Sequence, residues 1–161
     1  EAADAAEVRR SFLQTHAETD NLLTYPDESK MTVDEEAGFL QKTADSENAV
    51  ELCAVVDGKL VGTAGVEPIG TREKLRHRAE FGISIEKAYW GQGIGRALTE
   101  ACISIAGEAG YAQLELQVVA DNAAAVALYK SMGFTEYGRN PLGFRSRTTG
   151  WQSLLLMRLE L

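Results

Sequence analysis

Apolar residues recur along the chain with two different periods, and the switches between them mark the elements. Near the start, Ala5, Val8, Phe12 and Leu13 fall at helical spacing, which predicts a helix over residues 2–16. The pattern breaks at TYPDES and resumes after Thr32. There Thr32-Val33-Asp34-Glu35 has the form of a capping box, and Val33, Ala37 and Leu40 are the expected inner face of a second helix. VELCAVV and KLVGTAGV flank Asp57-Gly58, a dipeptide suited to a tight turn, and predict a hairpin. AEFGISI alternates as a strand, with Glu80, Gly82 and Ser84 on one face and Phe81, Ile83 and Ile85 on the other.

The period then returns to that of a helix. Ile94, Ala97, Leu98, Ala101 and Ile105 share one side, so a helix begins inside YWGQGIGRAL and ends near Gly107 and Gly110. LELQVV alternates again, with Leu114, Leu116 and Val118 opposite Glu115, Gln117 and Val119. Asp121 or Asn122 can cap a short helix whose Ala125, Leu128, Tyr129 and Met132 lie together, and Gly133 closes it. FTEYG and WQSLLLMRL are the last two strands, around a loop holding Pro141 and Gly143. The order ααββ–βα–βα–ββ predicts an α/β (α+β) class, and the 161 residues, free of linkers and repeats, make a single domain.

Charge narrows the function classes. A formal net charge of −8 disfavours nucleic acid and anionic membrane as partners. No apolar run approaches the roughly 18 residues of a membrane span, and no signal peptide is visible after Glu1. Cys53 and Cys102 lie in apolar segments without CxxC spacing, as reduced thiols of a cytoplasmic protein would. The basic island TREKLRHR reads as a solvated hairpin tip, with an anionic ligand as the alternative.

Gly91, Gly93 and Gly95 are the strongest chemical signal. A strand, a glycine-rich turn and a helix N-terminus together form an anion site, since free N–H groups and the positive end of the helix dipole converge there. Spacing excludes two of the common phosphate loops. No Lys-Ser or Lys-Thr pair follows the glycines, as a P-loop requires. The pattern is GxGxG, separated from its strand by EKAYW, where a dinucleotide turn needs GxGxxG directly after the strand. A turn that merely packs a helix on a sheet remains open on the glycines alone.

The wider stretch GISIEKAYWGQGIGRAL resembles the acetyl-CoA pyrophosphate motif of the GNAT superfamily of N-acetyltransferases, written Arg/Gln-x-x-G-x-Gly/Ala after a strand. Downstream, NAAAVALYKSMGF closely resembles that family's second signature, N-x-x-A-x-x-L-Y-x-x-x-G-F. The hairpin before and the strands after also fit, so the resemblance covers nearly the whole chain. It implies the GNAT fold, a mixed central sheet of about six or seven strands flanked by helices, with strands splayed at the acetyl-CoA cleft. Three positions depart from the family pattern. Trp90 stands where Arg or Gln is usual, Gln117 stands where ribosomal-protein acetylases carry a basic Glu, and the family's first strand is absent or cut short before Glu1.

The resemblance implies transfer of acetyl from acetyl-CoA, as co-substrate, to a primary amine of a small molecule or a protein, with no metal. By the same likeness Ile83, Ser84 and Ile85 face pantetheine, Gly91, Gln92, Gly93, Ile94, Gly95 and Arg96 cradle the pyrophosphate, and Asn122 bonds the pantetheine arm while capping its helix. Tyr129 is the expected donor to the leaving thiolate. Glu80 is the expected base, with Glu115 as the second choice. The acceptor pocket is expected from ETDNLLTYPDES and NPLGFRSRTTGW, where Asp20, Asp27 and Glu28 are candidate cation holders. Homodimers are common in the family. The rival reading is a non-catalytic acyl-CoA-binding sensor.

Overall fold

The computed structural model describes residues 1–161. Two helices, α1 (Ala5–Glu18) and α2 (Val33–Ala44), precede the hairpin of β1 (Val50–Val56) and β2 (Lys59–Pro68). Then come β3 (Arg78–Ile85), α3 (Ile94–Glu108), β4 (Gln113–Val119), α4 (Ala123–Ser131), β5 (Thr135–Ser146) and β6 (Gly150–Glu160). The order is that expected from the alternating periods. The six strands form one sheet in the order β1-β2-β3-β4-β6-β5. Every neighbouring pair is antiparallel except β3 and β4, which are parallel.

That one parallel pair sets the site. β3 and β4 are joined only from Arg78 to Glu80 and from Gln113 to Glu115, and beyond these residues they part. Leu114, Leu116 and Val118 nevertheless stay buried, because α3 covers their face through Leu98, Cys102 and Ala106. A second apolar cluster lies where α1 and α2 meet the start of the sheet, at Ala5, Val8, Leu40 and Leu60 with Cys53 against them. The helices therefore cover both faces, and the opened strands leave a gap between them.

Glu86 ties α1 to the end of β3. Its carboxylate is buried and accepts from Arg10 of α1 at 2.7 Å and from Lys59 of β2 at 2.6 Å, and its own N–H donates to Val61 at 2.8 Å. The two hydrogen-bonded cations outweigh the cost of burial and hold its pKa below the usual carboxylate range.

Two expectations need correction. Val33 is in phase with Leu40 but sits in the first turn of α2 and is exposed; Glu36, Leu40 and Thr43 form the buried stripe, while Thr32 and Glu35 make the expected capping box. Pro141 and Gly143 do not lie in a loop. β5 runs through them with an irregular register between Asn140 and Phe144, and an edge strand tolerates the missing proline N–H at such a bulge.

Candidate active site

The gap between β3 and β4 opens into a cleft of about 850 Å³. One end is walled by Ile83, Ser84 and Ile85, by Gly91, Gly93, Ile94, Gly95 and Arg96, and by Asn122 and Leu128. The other lies under the C-terminal end of α1 and the chain after it, against the polar face of β1, β2 and β3. Tyr129 and Gln117 stand in the same wall.

The glycine turn is built from two left-handed residues, Gly91 at φ 73° and Gly93 at φ 86°, the latter the N-cap of α3. A side chain at either would be strained. Gly95 differs. It lies inside the first turn of α3, and a Cβ there would meet Ile85 and Leu128 at 3.5 Å, an ordinary contact. The three glycines are thus not equivalent: Gly91 and Gly93 turn the chain, whereas the place of Gly95 against β3 and α4 has room for a Cβ. Gly93→Ala is expected to cost about 1–2 kcal/mol of stability, and Gly95→Ala to change it by under about 1 kcal/mol. Thermal unfolding of both variants reads the difference; equal losses would contradict it.

The neighbours of the turn explain its shape. The Trp90 indole N–H donates to the Ile85 carbonyl at 2.7 Å and folds the chain back onto the end of β3. Gln92 does not line the cleft, contrary to expectation for its side chain, which turns back to the Ala88 carbonyl at 3.2 Å. Arg96 reaches Ser131 of α4 at 3.0 Å. Asn122, not Asp121, caps α4, its Oδ1 accepting from Ala125 N–H at 3.3 Å.

Tyr129 is 7% exposed, packed edge-on to Phe81 and against Phe134. Burial alone pushes its phenol up to about 12, with no hydrogen bond inside the protein to counter it. The only fully enclosed side-chain polar atom without a partner is Ser11 Oγ, so the Tyr129 hydroxyl keeps access to the cleft it lines. The phenol is therefore a protonated donor over the whole neutral range.

The carboxylates divide by partner. Glu80 ends the joined part of β3, is exposed, and lines the cleft. Glu115, expected as the second base, is outside that cleft. It is held by Arg78 through two hydrogen bonds, one of 2.8 Å from Nη2, by Gln113 at 2.6 Å and by Tyr137 at 3.3 Å. The Arg78 guanidinium holds its carboxyl below the ordinary range, which makes it a poor proton acceptor. Arg78 is the one member of the basic island with an ion pair, and none of the island lines the cleft.

Two further carboxylates, Glu51 and Glu67, line the acceptor end and were not singled out from the sequence. An acid inside VELCAVV was the available signal. Burial pushes Glu51 up to about 7, against a hydrogen bond from Thr63, with repulsion from Glu67 and Glu36 adding to it. Its carboxylate lies over Gly65, its partner on β2, where a Cβ would collide with it. Because the folded pKa is above the unfolded one, this group's contribution is full below about pH 4.5 and is lost as pH rises through about 7. Glu51→Gln is therefore expected to stabilise the protein by about 2–3 kcal/mol at pH 8 and little at pH 5. Urea unfolding at the two pH values checks this, and an unchanged difference would contradict it.

The cover of the acceptor end is stapled in place. Thr19, Asn21, Leu22 and Leu23 line the cleft. Asp20 accepts from Ser146, from Thr149 at 2.9 Å and from Thr148 at 3.2 Å, while Arg147 pairs with Asp27 at 2.9 Å and stacks on Tyr25. The expected cation holders are thus occupied by the β5–β6 turn, and Glu28 bonds the Tyr25 N–H at 2.7 Å. The segment NPLGFRSRTTGW does not line the cleft; it anchors the segment that does.

Residues 10–134 match the acetyltransferase (GNAT) family. The chain is 41% identical over 93 residues to the ribosomal protein bS18-alanine N-acetyltransferase of Escherichia coli strain K12, covering 56% of this chain and 61% of that one. It is 30% identical over 95 residues to an L-amino acid N-acetyltransferase of the same strain, covering 58% of each. The chain therefore spans about three fifths of the length of these curated relatives. Among solved structures, a GNAT-family acetyltransferase from Streptococcus pneumoniae superposes with a TM-score of 0.95 at 32% identity, covering 100% of this chain and 96% of that one. No helix is long and apolar enough to cross a membrane.

Proposed function

The chain belongs to the acetyltransferase (GNAT) family, and on that premise we propose that it transfers the acetyl group of acetyl-CoA to a primary amine by direct attack in a ternary complex. The observation that carries this reading is the fork in the sheet. Where β3 leaves β4, an anion-binding helix N-terminus, the unpartnered Tyr129 hydroxyl and Glu80 share one cleft.

The chemistry sets what each group must do. Pyrophosphate suits the turn of Gly91 and Gly93 and the first N–H groups of α3, with Arg96 beside them. An alkylammonium, with a reference pKa of about 10.4, must lose a proton before it can attack. Glu80 takes that proton, directly or through one water. The freed nitrogen lone pair bonds to the thioester carbonyl carbon, the C–S bond breaks with its electron pair leaving on sulfur, and the now cationic nitrogen releases its second proton to solvent to give the amide. A phenol at about 12 does not fully yield its proton to a thiolate whose acid has a pKa of about 8.5. Tyr129 thus acts by hydrogen bonding to the developing charge, and the thiolate is protonated from solvent. Of the ways a donor can serve the leaving thiolate, this is hydrogen bonding and not proton transfer.

The rival sensor reading predicts binding without turnover. A buried hydroxyl left without a protein partner in the cleft wall favours catalysis over it. The free thiols Cys53 and Cys102 fit a reducing compartment such as the cytoplasm. Thiol release measured while both acetyl-CoA and amine are varied tests the route. Intersecting double-reciprocal lines are expected, and parallel lines would point instead to an acetylated enzyme.

A further inference from the structure

The acceptor end of the cleft carries a charge pattern that the transfer reaction does not need. On the polar face of the sheet, Glu51 of β1 lies opposite Gly65 of β2, Glu67 follows two residues on, and Glu67 lies opposite Glu80 of β3. Like charges directly across a strand pair repel, so a Glu67–Glu80 pair costs stability unless something cationic lies over it. None of the three carboxylates has a cationic side chain to neutralise it; the ion pairs of the protein lie elsewhere. Nor do the three converge into a group able to hold a metal ion. Strand spacings of ~4.8 Å and a rise of ~3.4 Å per residue put the Cα atoms of Glu51 and Glu80 roughly 12 Å apart.

Cations are missing from this end of the wall. Arg96 is the one Lys or Arg among the lining residues, and it stands at the pyrophosphate end. Burial holds the His16 pKa below its ordinary value, against the opposing pull of the Phe12 carbonyl 2.8 Å from its Nδ1. An amino acid bound here would set its carboxylate among these acidic side chains with no cation to offset it, while a bound cation would favour the ionised form of Glu51, which burial raises to about 7. The other wall is apolar, with Phe12, Leu22 and Leu23. A second observation points to a ligand in the same cleft: the Tyr129 side chain, 93% buried by its 7% exposure, turns an unpartnered hydroxyl into it.

Resting on the acetyltransferase reading, we infer that the acceptor is an aliphatic amine bearing two or three positive charges and no carboxylate, with Glu51 and Glu67 holding the charges that do not react. The methylene chain lies along Phe12, Leu22 and Leu23, and the reacting nitrogen comes to Glu80. Loss of one proton to Glu80 before attack, formation of the C–N bond as the C–S bond breaks, and loss of a second proton from nitrogen to solvent turn that ammonium into a neutral amide. The remaining charged nitrogens stay paired with Glu51 and Glu67. Spacings of three or four carbons between nitrogens match carboxylates on successive strands. The segment from Thr19 to Tyr25, stapled over this end, favours a slender free amine over a folded protein substrate.

The test compares n-butylamine, putrescine, spermidine, L-lysine and a short alanine-led peptide with acetyl-CoA as donor. kcat/KM is expected to rise by about tenfold from butylamine to putrescine and again to spermidine, with lysine and the peptide at or below butylamine. In Glu51→Gln and Glu67→Gln the advantage of spermidine over butylamine is expected to shrink by about tenfold each, and to shrink likewise with added salt in the wild type. Calorimetric binding of spermidine to the CoA-loaded protein supplies a readout without turnover, and unfolding curves confirm that the variants are folded. Acetyl-CoA binding with butylamine, lysine or the peptide served as well as spermidine, or spermidine binding indifferent to both substitutions, overturns this inference alone. No binding of acetyl-CoA overturns the acetyltransferase reading and this inference with it.

Discussion

Tyr129→Phe is expected to lower kcat about 100-fold while the Kd for acetyl-CoA changes less than about threefold. The ring stays, so the contacts with Phe81 and Phe134 that seat α4 on the sheet are kept. Only the hydroxyl goes, and it bonds nothing within the protein. On the proposed mechanism its loss removes the donor to the negative charge building on sulfur, and little else. Because the phenol stays protonated to about pH 12, Tyr129 contributes no basic limb to the pH–rate profile between pH 6 and pH 10. Stopped-flow or steady-state thiol release with calorimetry on the same preparation separates the two effects. An unchanged kcat would remove the role, and an equal loss in Kd would make it one of binding.

Glu80→Gln is expected to lower kcat/KM for the amine about 100- to 1000-fold. Glu115→Gln serves as the contrast. That carboxylate already spends its charge on Arg78, with Gln113 and Tyr137 beside it, so its replacement acts on the packing of β3 against β4. Its variant keeps kcat/KM for the amine even where its stability falls. A kcat/KM that survives in Glu80→Gln and collapses in a folded Glu115→Gln would reverse the assignment.

Much of this was written in the order of the residues. The period switches gave every strand and helix in sequence, and Thr32–Glu35 and Asn122 gave two of the caps. The glycine turn and Tyr129 were legible because each is local, a few residues read within one element. What was not legible depends on pairing. Glu115 reads as open as Glu80 in the sequence; the register pairs the two, and it is the Arg78 side chain, reaching diagonally from its place opposite Gln113, that closes Glu115 off. Glu51 drew no notice, because its meaning comes from Gly65, which is distant in sequence and opposite in the sheet. Asp20 and Asp27 read as a loose acidic patch, and only the return of β5 to within bonding distance turned them into a staple. Gly95 looked like its neighbours, but its φ and its contacts set it apart.

The proposed function stands on an acetyl-CoA site formed by the glycine turn and the opened strands. Isothermal titration of acetyl-CoA into the wild type and into Gly93→Val tests for that site. One site per chain is expected, weakened by at least about tenfold in the variant while the fold survives. Absence of binding heat in the folded wild type at millimolar acetyl-CoA, or equal affinity in the two proteins, would contradict it.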